Sequence, residues 1–326
     1  MFDDALLDDP IALATRGDPL AWLAMAGARL RREPWDEIAA AVPDFDGVRP
    51  RSLLVIGAEA RLIRAVVEAT CAVPCIAWPR PTLPPWAGPL DLVMVLADAE
   101  TSLLEVCREV VKRGALLIVV APSGSPILDG CGAATALVTS QDDRFVTALL
   151  ALKILDLAGL APELDLDQIA DHLDKVAERC GPRHGLEVNP AKNLACALAD
   201  AVPLVWGGSV LAARASRRIA EALREATGAP AVAGDEEALR PLIEGCRPRN
   251  VFGDPYEDES ARIRFALLVL DDGEDPGLGL AELAASRNQR QETIRCASGS
   301  PVVRYAELVH QGLFAAAYLG LATMAE

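Results

Sequence analysis

Between Asn189 and Glu225 the chain reads NPAKNLACALADAVPLVWGGSVLAARASRRIAEALRE. A polar turn, an apolar helix, a buried strand, the turn Gly207-Gly208-Ser209 and a basic helix follow in that order. Glycines between a strand and a helix gather backbone N–H groups at the positive end of the helix dipole, which suits a phosphate or another anion. The same turn also serves close packing of helix on strand. Ser123-Gly124-Ser125 offers two further hydroxyls, in a turn that also reads as a plain loop. Glu225 lies on a helix with Arg214, Arg217, Arg218 and Arg224. It reads as a general base or as a solvated carboxylate near Arg218 and Arg224. Arg144, just before a long apolar segment, reads as an anion ligand or as a solvated arginine at a helix start. Of three histidines, His172 and His310 fall on predicted helices and read as structural, while His184 falls in a loop.

The chain has 326 residues, which fits two domains. Apolar residues are 52% and aromatics 4%, so an α/β or all-α core is well supplied. The net charge of -16 argues against a general nucleic-acid role, because duplex binding needs many phosphate-neutralising cations. Lysines occur only at 112, 153, 175 and 192, so any mechanism that needs a lysine is tightly restricted. The acidic start MFDDALLDDP has no signal-peptide character, and the eight cysteines read as free cytosolic thiols. Cys71 and Cys75 have no partner pair at metal-ligand spacing, so neither a metal nor a cofactor is expected. The apolar run from Gly312 to Ala325 is too short to span a bilayer and reads as a buried terminal helix. No P-loop lysine motif and no G-x-S-x-G elbow occur.

Along the chain, helices are expected over Pro19–Arg31 and Pro34–Val42, then the strand Arg51–Ile56 and the helix Ala60–Ala69. Strands follow at Val73–Trp78, Asp91–Leu96, Ala115–Val120 and Leu137–Thr139, with a helix at Ser102–Lys112. A long apolar helix from Phe145 to Leu160 marks the domain exchange. In the second half, helices are expected at Leu166–Arg179, Asn193–Ala201, Leu211–Ala226, Glu282–Asn288 and Pro301–Leu319. Strands are expected at Leu204–Trp206, Ala231–Val232, Ile263–Leu270 and Thr293–Ala297. Such alternation predicts parallel sheets covered on both faces. The domains are expected at residues 1–150 and 151–326.

The stretch from Asn189 to Glu225 resembles the second half of the bifunctional phosphoglucose/phosphomannose isomerases, which carry two tandem sugar-isomerase (SIS) domains. The matching positions are Asn189, Pro190, Ala191, Lys192, Val202, Pro203, Gly207, Arg218 and Glu225. The character is that of the diverged TobH-type members. The resemblance implies an α/β chain of two SIS-like domains that forms a homodimer, while the residues read above point to a cytoplasmic chain with no membrane segment and no nucleic-acid partner. It implies that Glu225 is the catalytic base and that Arg144 binds substrate; Ser123, Ser125 and Ser209 are read from their turns as further substrate-binding residues. The implied ligand is fructose 6-phosphate, glucose 6-phosphate or mannose 6-phosphate.

The chain departs from that family at several positions. The ring-opening histidine is missing from Glu236–Gly245, and no lysine follows Lys192. The family's first phosphate turn is here Gly57-Ala-Glu-Ala-Arg61, and its next loop carries Asp98 and Glu100 beside Thr101 and Ser102. Two functions are therefore weighed. One is sugar-phosphate aldose–ketose isomerisation, reduced or lost. The other is a non-catalytic sugar-phosphate-binding or scaffold role in mannose and nucleotide-sugar metabolism.

Overall fold

The computed structural model describes residues 2–41, 49–98, 103–132, 135–140, 142–246, 264–275 and 278–323. Contacts divide the chain into Arg29–Asp167 and a second unit made of Met1–Ala28 with Gln168–Glu326. The division falls inside the helices α3 (Ala26–Arg32) and α9 (Leu166–Cys180).

The Arg29–Asp167 unit holds five parallel strands in the order β2-β1-β3-β4-β5. These are β1 (Ser52–Gly57), β2 (Cys75–Trp78), β3 (Asp91–Leu96), β4 (Leu116–Pro122) and β5 (Thr135–Thr139). All of β3 is buried, as is β1 up to Ile56, which is why these strands read as unbroken apolar runs. One face packs Leu54, Ile56, Val93, Val95 and Val119 against Val106 and Val110 of α6 (Leu104–Lys112). The other face is covered by α5 (Ala60–Val67) and by α8 (Arg144–Leu157), whose core stretch from Val146 to Leu152 is buried without interruption. Asp143 caps α8 through Oδ1, and its Oδ2 takes two hydrogen bonds from Arg29 at 2.8 and 3.0 Å. Gly57 is obligatory: its φ is +127°, and a Cβ there would lie 2.0 Å from the Leu96 carbonyl oxygen.

The second unit holds four parallel strands in the order β7-β6-β8-β9. They are β6 (Val202–Gly207), β7 (Val232–Ala233), β8 (Phe265–Asp271) and β9 (Arg290–Arg295). Leu204, Trp206, Leu267 and Val269 pack against α12 (Glu236–Glu244) and α13 (Leu278–Ser286). α11 (Val210–Thr227) also packs on β6 and against α14 (Pro301–Ala322), which in turn packs on α10 (Pro190–Leu198). α14 is buried along nearly its whole length, as expected for the apolar terminal run. A Cβ at Gly312 would fall 2.4 Å from Ile219 of α11, so the two helices approach as closely as they do because that position is glycine. Among the described residues, no helix is long and apolar enough to cross a membrane.

Several boundaries move from their expected places. α10 starts at Pro190 rather than at residue 193, because Asn189 caps it and Pro190 fills its first turn. β9 begins at Arg290, three residues early, because a polar edge strand lacks the apolar signal. α7 (Pro126–Gly130) and α12 are short helices with no counterpart among the expected elements. The expected ends at Val42 and Ile263 lie outside the described residues.

Candidate functional site

In an open parallel sheet the ligand crevice lies beyond the carboxyl ends of the strands, where neighbouring connections leave in opposite directions. That point falls between β1 and β3 in the first unit and between β6 and β8 in the second. Each sheet places its first strand between its second and third, so the two crevices are topologically equivalent.

At the first crevice, Gly57 pairs in register with Leu96. The chain continues as Ala58-Glu59 on one side and Ala97-Asp98 on the other, and these residues line a depression with Asp142, Arg144 and Thr147. Its volume of about 10 Å³ is room for roughly one water molecule. Glu59 and Asp98 are each 8% exposed. Glu59 occupies the N-cap position of α5, although its side chain makes no cap hydrogen bond there. Arg144 donates through Nη2 to Asp98 Oδ2 at 3.3 Å. Among the described lining residues, three carboxylates thus accompany one guanidinium. Two unit charges 4 Å apart near a protein surface interact by about 4 kcal/mol, so this balance opposes a phosphate dianion.

At the second crevice, Ser209 caps α11 by accepting from the Ala212 N–H at 3.0 Å. Its hydroxyl donates to Oδ2 of buried Asp272 in a very short hydrogen bond. A Cβ at Gly208 would meet the Asp275 Cβ at 2.4 Å, so Asp275 lies directly against the glycine turn. Asp271 accepts from the Gly273 N–H at 2.9 Å and from Arg295 Nε at 2.8 Å. Arg304 donates to the Asp272 carbonyl at 2.6 Å and to Glu274 at 3.1 Å. Here too the chain sets its own carboxylates against a helix start.

The other residues singled out from the sequence lie as follows. Ser123 is exposed, and its N–H donates to the Thr139 carbonyl at 2.9 Å. Ser125 is buried and closes a tight turn to Pro122 at 3.1 Å, with Gly124 at φ +81°. Neither serine lines the first depression. Glu225 is exposed near the C-terminal end of α11, sixteen residues beyond Ser209, or about 24 Å along the helix. His184 is exposed in a turn, and His310 is buried in α14. Glu100, Thr101 and Ser102 lie outside the described residues.

Asn189 and Lys192 form a different kind of centre. Asn189 is fully buried; its Oδ1 accepts from the Ala191 and Lys192 N–H groups, and its Nδ2 donates to the Cys180 and Gly181 carbonyls. Lys192 is also fully buried, bonded to Asp8 Oδ1 at 2.6 Å and standing 5.3 Å over the Tyr318 ring. All eight cysteines are thiols. Burial pushes Cys75 and Cys107 up to about 12 and Cys180 to about 11, which makes them poor nucleophiles at neutral pH. Among the described residues, no group of three or more His, Cys, Asp or Glu is placed to hold a metal. Asp98 and Glu59 are legible from sequence as acids near a phosphate turn. Asp272 and Asp275 are not, since their only signal is the turn Asp271-Asp272-Gly273 closing an apolar strand.

The fold, with two parallel sheets flanked by helices, is similar to that of solved phosphosugar-isomerase-like structures. Residues 187–325 match the bacterial phospho-glucose isomerase C-terminal SIS domain. Over nearly the whole chain, the fold is similar to a glucose-6-phosphate isomerase like protein from Thermus thermophilus. That match has TM-score 0.59 and 18% identity, covering 97% of this chain and 92% of the other. It is also similar to tagatose-6-phosphate ketose/aldose isomerase from Escherichia coli, with TM-score 0.63, 11% identity and coverage of 96% and 95%. A third similar structure is the C-terminal domain of glucosamine-fructose-6-phosphate aminotransferase from Francisella tularensis, with TM-score 0.60, 11% identity and 95% of each chain covered. No curated protein sequence matches. In fold, then, the chain is phosphosugar-isomerase-like, and residues 187–325 match an SIS domain.

Proposed function

We propose that this chain is a tandem SIS-domain protein of sugar-phosphate or nucleotide-sugar metabolism in which aldose–ketose isomerisation has been lost. It works as a cytoplasmic homodimer, through binding or scaffolding. The observation that carries this reading is the Arg144–Asp98 pair beside Glu59 at the first switch point. An arginine that would hold a sugar phosphate is turned onto an internal carboxylate. The absence of the family's histidine from Glu236–Gly245 supports the same reading, since that position supplies the ring opener in the isomerases the chain resembles.

A second reading keeps the isomerase. The match of residues 187–325 to an isomerase domain favours it. Glu225 would be the base, Arg144 would hold the substrate, and Ser123, Ser125 and Ser209 would bind the phosphate. The experiment that separates the two follows fructose 6-phosphate by NMR with purified protein. The proposed function predicts no glucose 6-phosphate or mannose 6-phosphate above buffer, with Glu225→Gln indistinguishable from the unaltered protein. Product that vanishes in Glu225→Gln establishes the isomerase instead.

A further inference from the structure

Glu307, on α14, collects three donors. Arg179 Nη2 lies at 2.7 Å, His172 Nδ1 at 2.9 Å and the Cys296 thiol at 3.0 Å. The carboxylate is 10% exposed. Burial pushes its pKa up, but the hydrogen bonds from Cys296, His172 and Arg179 outweigh burial and hold it below the ordinary glutamate value. A carboxylate bound to Nδ1 fixes the neutral imidazole with its proton on Nδ1. Nε2 then carries the lone pair, and the carboxylate stabilises the imidazolium formed when Nε2 takes a proton. The His172 side chain is 16% exposed. Burial and the bond to Glu307 push the Cys296 thiol up to about 12, so it remains a protonated donor.

The cluster sits at the carboxyl end of the second sheet. The Cys296 N–H donates to the Asp271 carbonyl at 2.9 Å. Arg304, one turn before Glu307, holds the Asp272 carbonyl. His172 and Arg179 are seven residues apart on α9, two turns along one face. This is the ligand-bearing edge of a parallel sheet.

We propose that His172 and Glu307 form a general acid–base pair acting on a hydroxyl of an uncharged, sugar-like ligand at this edge. The ligand class follows from charge. Arg295 is bonded to Asp271, Arg304 to Asp272 and Glu274, and Arg179 to Glu307, while Asp271, Asp272 and Glu307 oppose a phosphate. Carboxylates and a neutral imidazole accept hydrogen bonds from neutral hydroxyls. With a cyclic aldose the step balances without a co-reactant. Nε2 takes the proton of the anomeric hydroxyl as the bond from the anomeric carbon to the ring oxygen breaks. The electron pair stays on the ring oxygen, which takes the proton back from Nε2, leaving an open-chain aldehyde and the pair in its starting form. This inference goes beyond the proposed function, because it requires neither a phosphate site nor transfer of a carbon-bound proton, so the two fail separately.

The test is exchange between the α and β anomers of glucose, measured by NMR magnetisation transfer with the full chain. General acid–base catalysis contributes about 100-fold or more, so exchange well above the buffer rate is expected. Folded His172→Gln returns to the buffer rate. Glu307→Gln loses most of the acceleration, since the imidazolium formed at Nε2 loses the carboxylate that holds Nδ1. If His172→Gln does not fold, the unaltered protein treated with diethyl pyrocarbonate decides: modification mapped to His172 must abolish the exchange. A buffer-level rate with the unaltered protein overturns the proposal, and so does acceleration that survives loss or modification of His172.

Discussion

Arg144 points a guanidinium nitrogen to within 3.3 Å of Asp98 Oδ2, at the carboxyl end of β3. The arginine is 48% exposed, whereas the carboxylate is buried. An exposed pair of this kind contributes about 0–1 kcal/mol to stability, so its main consequence is chemical. It sets the charge of the crevice in which an anion would otherwise bind.

The equivalent arrangement in the second unit predicts a measurable cap. Ser209→Ala removes the oxygen that accepts from Ala212 N–H and leaves the buried Asp272 carboxylate without its hydroxyl donor. Loss of an N-cap alone costs about 1 kcal/mol, and the stranded acceptor raises the total to about 2 kcal/mol. Urea unfolding reads this directly, and Ser209→Thr is expected to recover most of it.

Asp8 and Lys192 are predicted to be unequal partners. Asp8→Asn leaves a fully buried ammonium without a counter-charge, which costs about 3 kcal/mol. Lys192→Met leaves Asp8 49% exposed and able to solvate, so it costs less. Urea midpoints of the two variants should fall in that order. The hydrogen bond from Lys192, with that from the Leu186 N–H, holds Asp8 below the ordinary aspartate value of 3.8. Its contribution is present above 3.8 and is lost as pH falls through the folded value. The acid arm of the stability–pH curve is therefore expected to be flatter in Lys192→Met than in the unaltered protein.

Asn189→Ala removes a helix cap and at the same time leaves the Gly181 carbonyl without its side-chain donor, while the Cys180 carbonyl keeps its hydrogen bond from the Tyr318 hydroxyl. A loss of about 2–4 kcal/mol is expected. Asn189→Asp restores the cap oxygens but not the amide donor, so its loss should remain close to that of alanine in the same urea series.

Much of the fold was legible in the sequence because the central strands are buried on both faces. Leu53–Ile56 and Leu92–Leu96 read as apolar runs, and their flanking helices show one-sided patterns such as Leu62, Ile63, Val66 and Val67. Edges were harder: Arg290–Arg295 carries its strand in backbone pairing rather than in apolar side chains. The glycine turn at Gly207-Gly208-Ser209 was legible as a strand-to-helix turn. Its covering residues were not, because Asp272 and Asp275 reach it from 63 or more positions away in the chain. The role of His172 was equally hidden. A histidine on an amphipathic helix has no sequence signal for a glutamate 135 residues later.

The measurement that bears most directly on the internal carboxylates is a calorimetric titration with fructose 6-phosphate of the unaltered chain and of a Glu59→Gln/Asp98→Asn double variant. The account predicts no binding by the unaltered chain at millimolar ligand. It predicts a gain in the double variant of about tenfold or more, since about 1.4 kcal/mol is tenfold and two repelling charges are removed. Sub-millimolar binding by the unaltered chain that is unchanged or weakened in the double variant would contradict it.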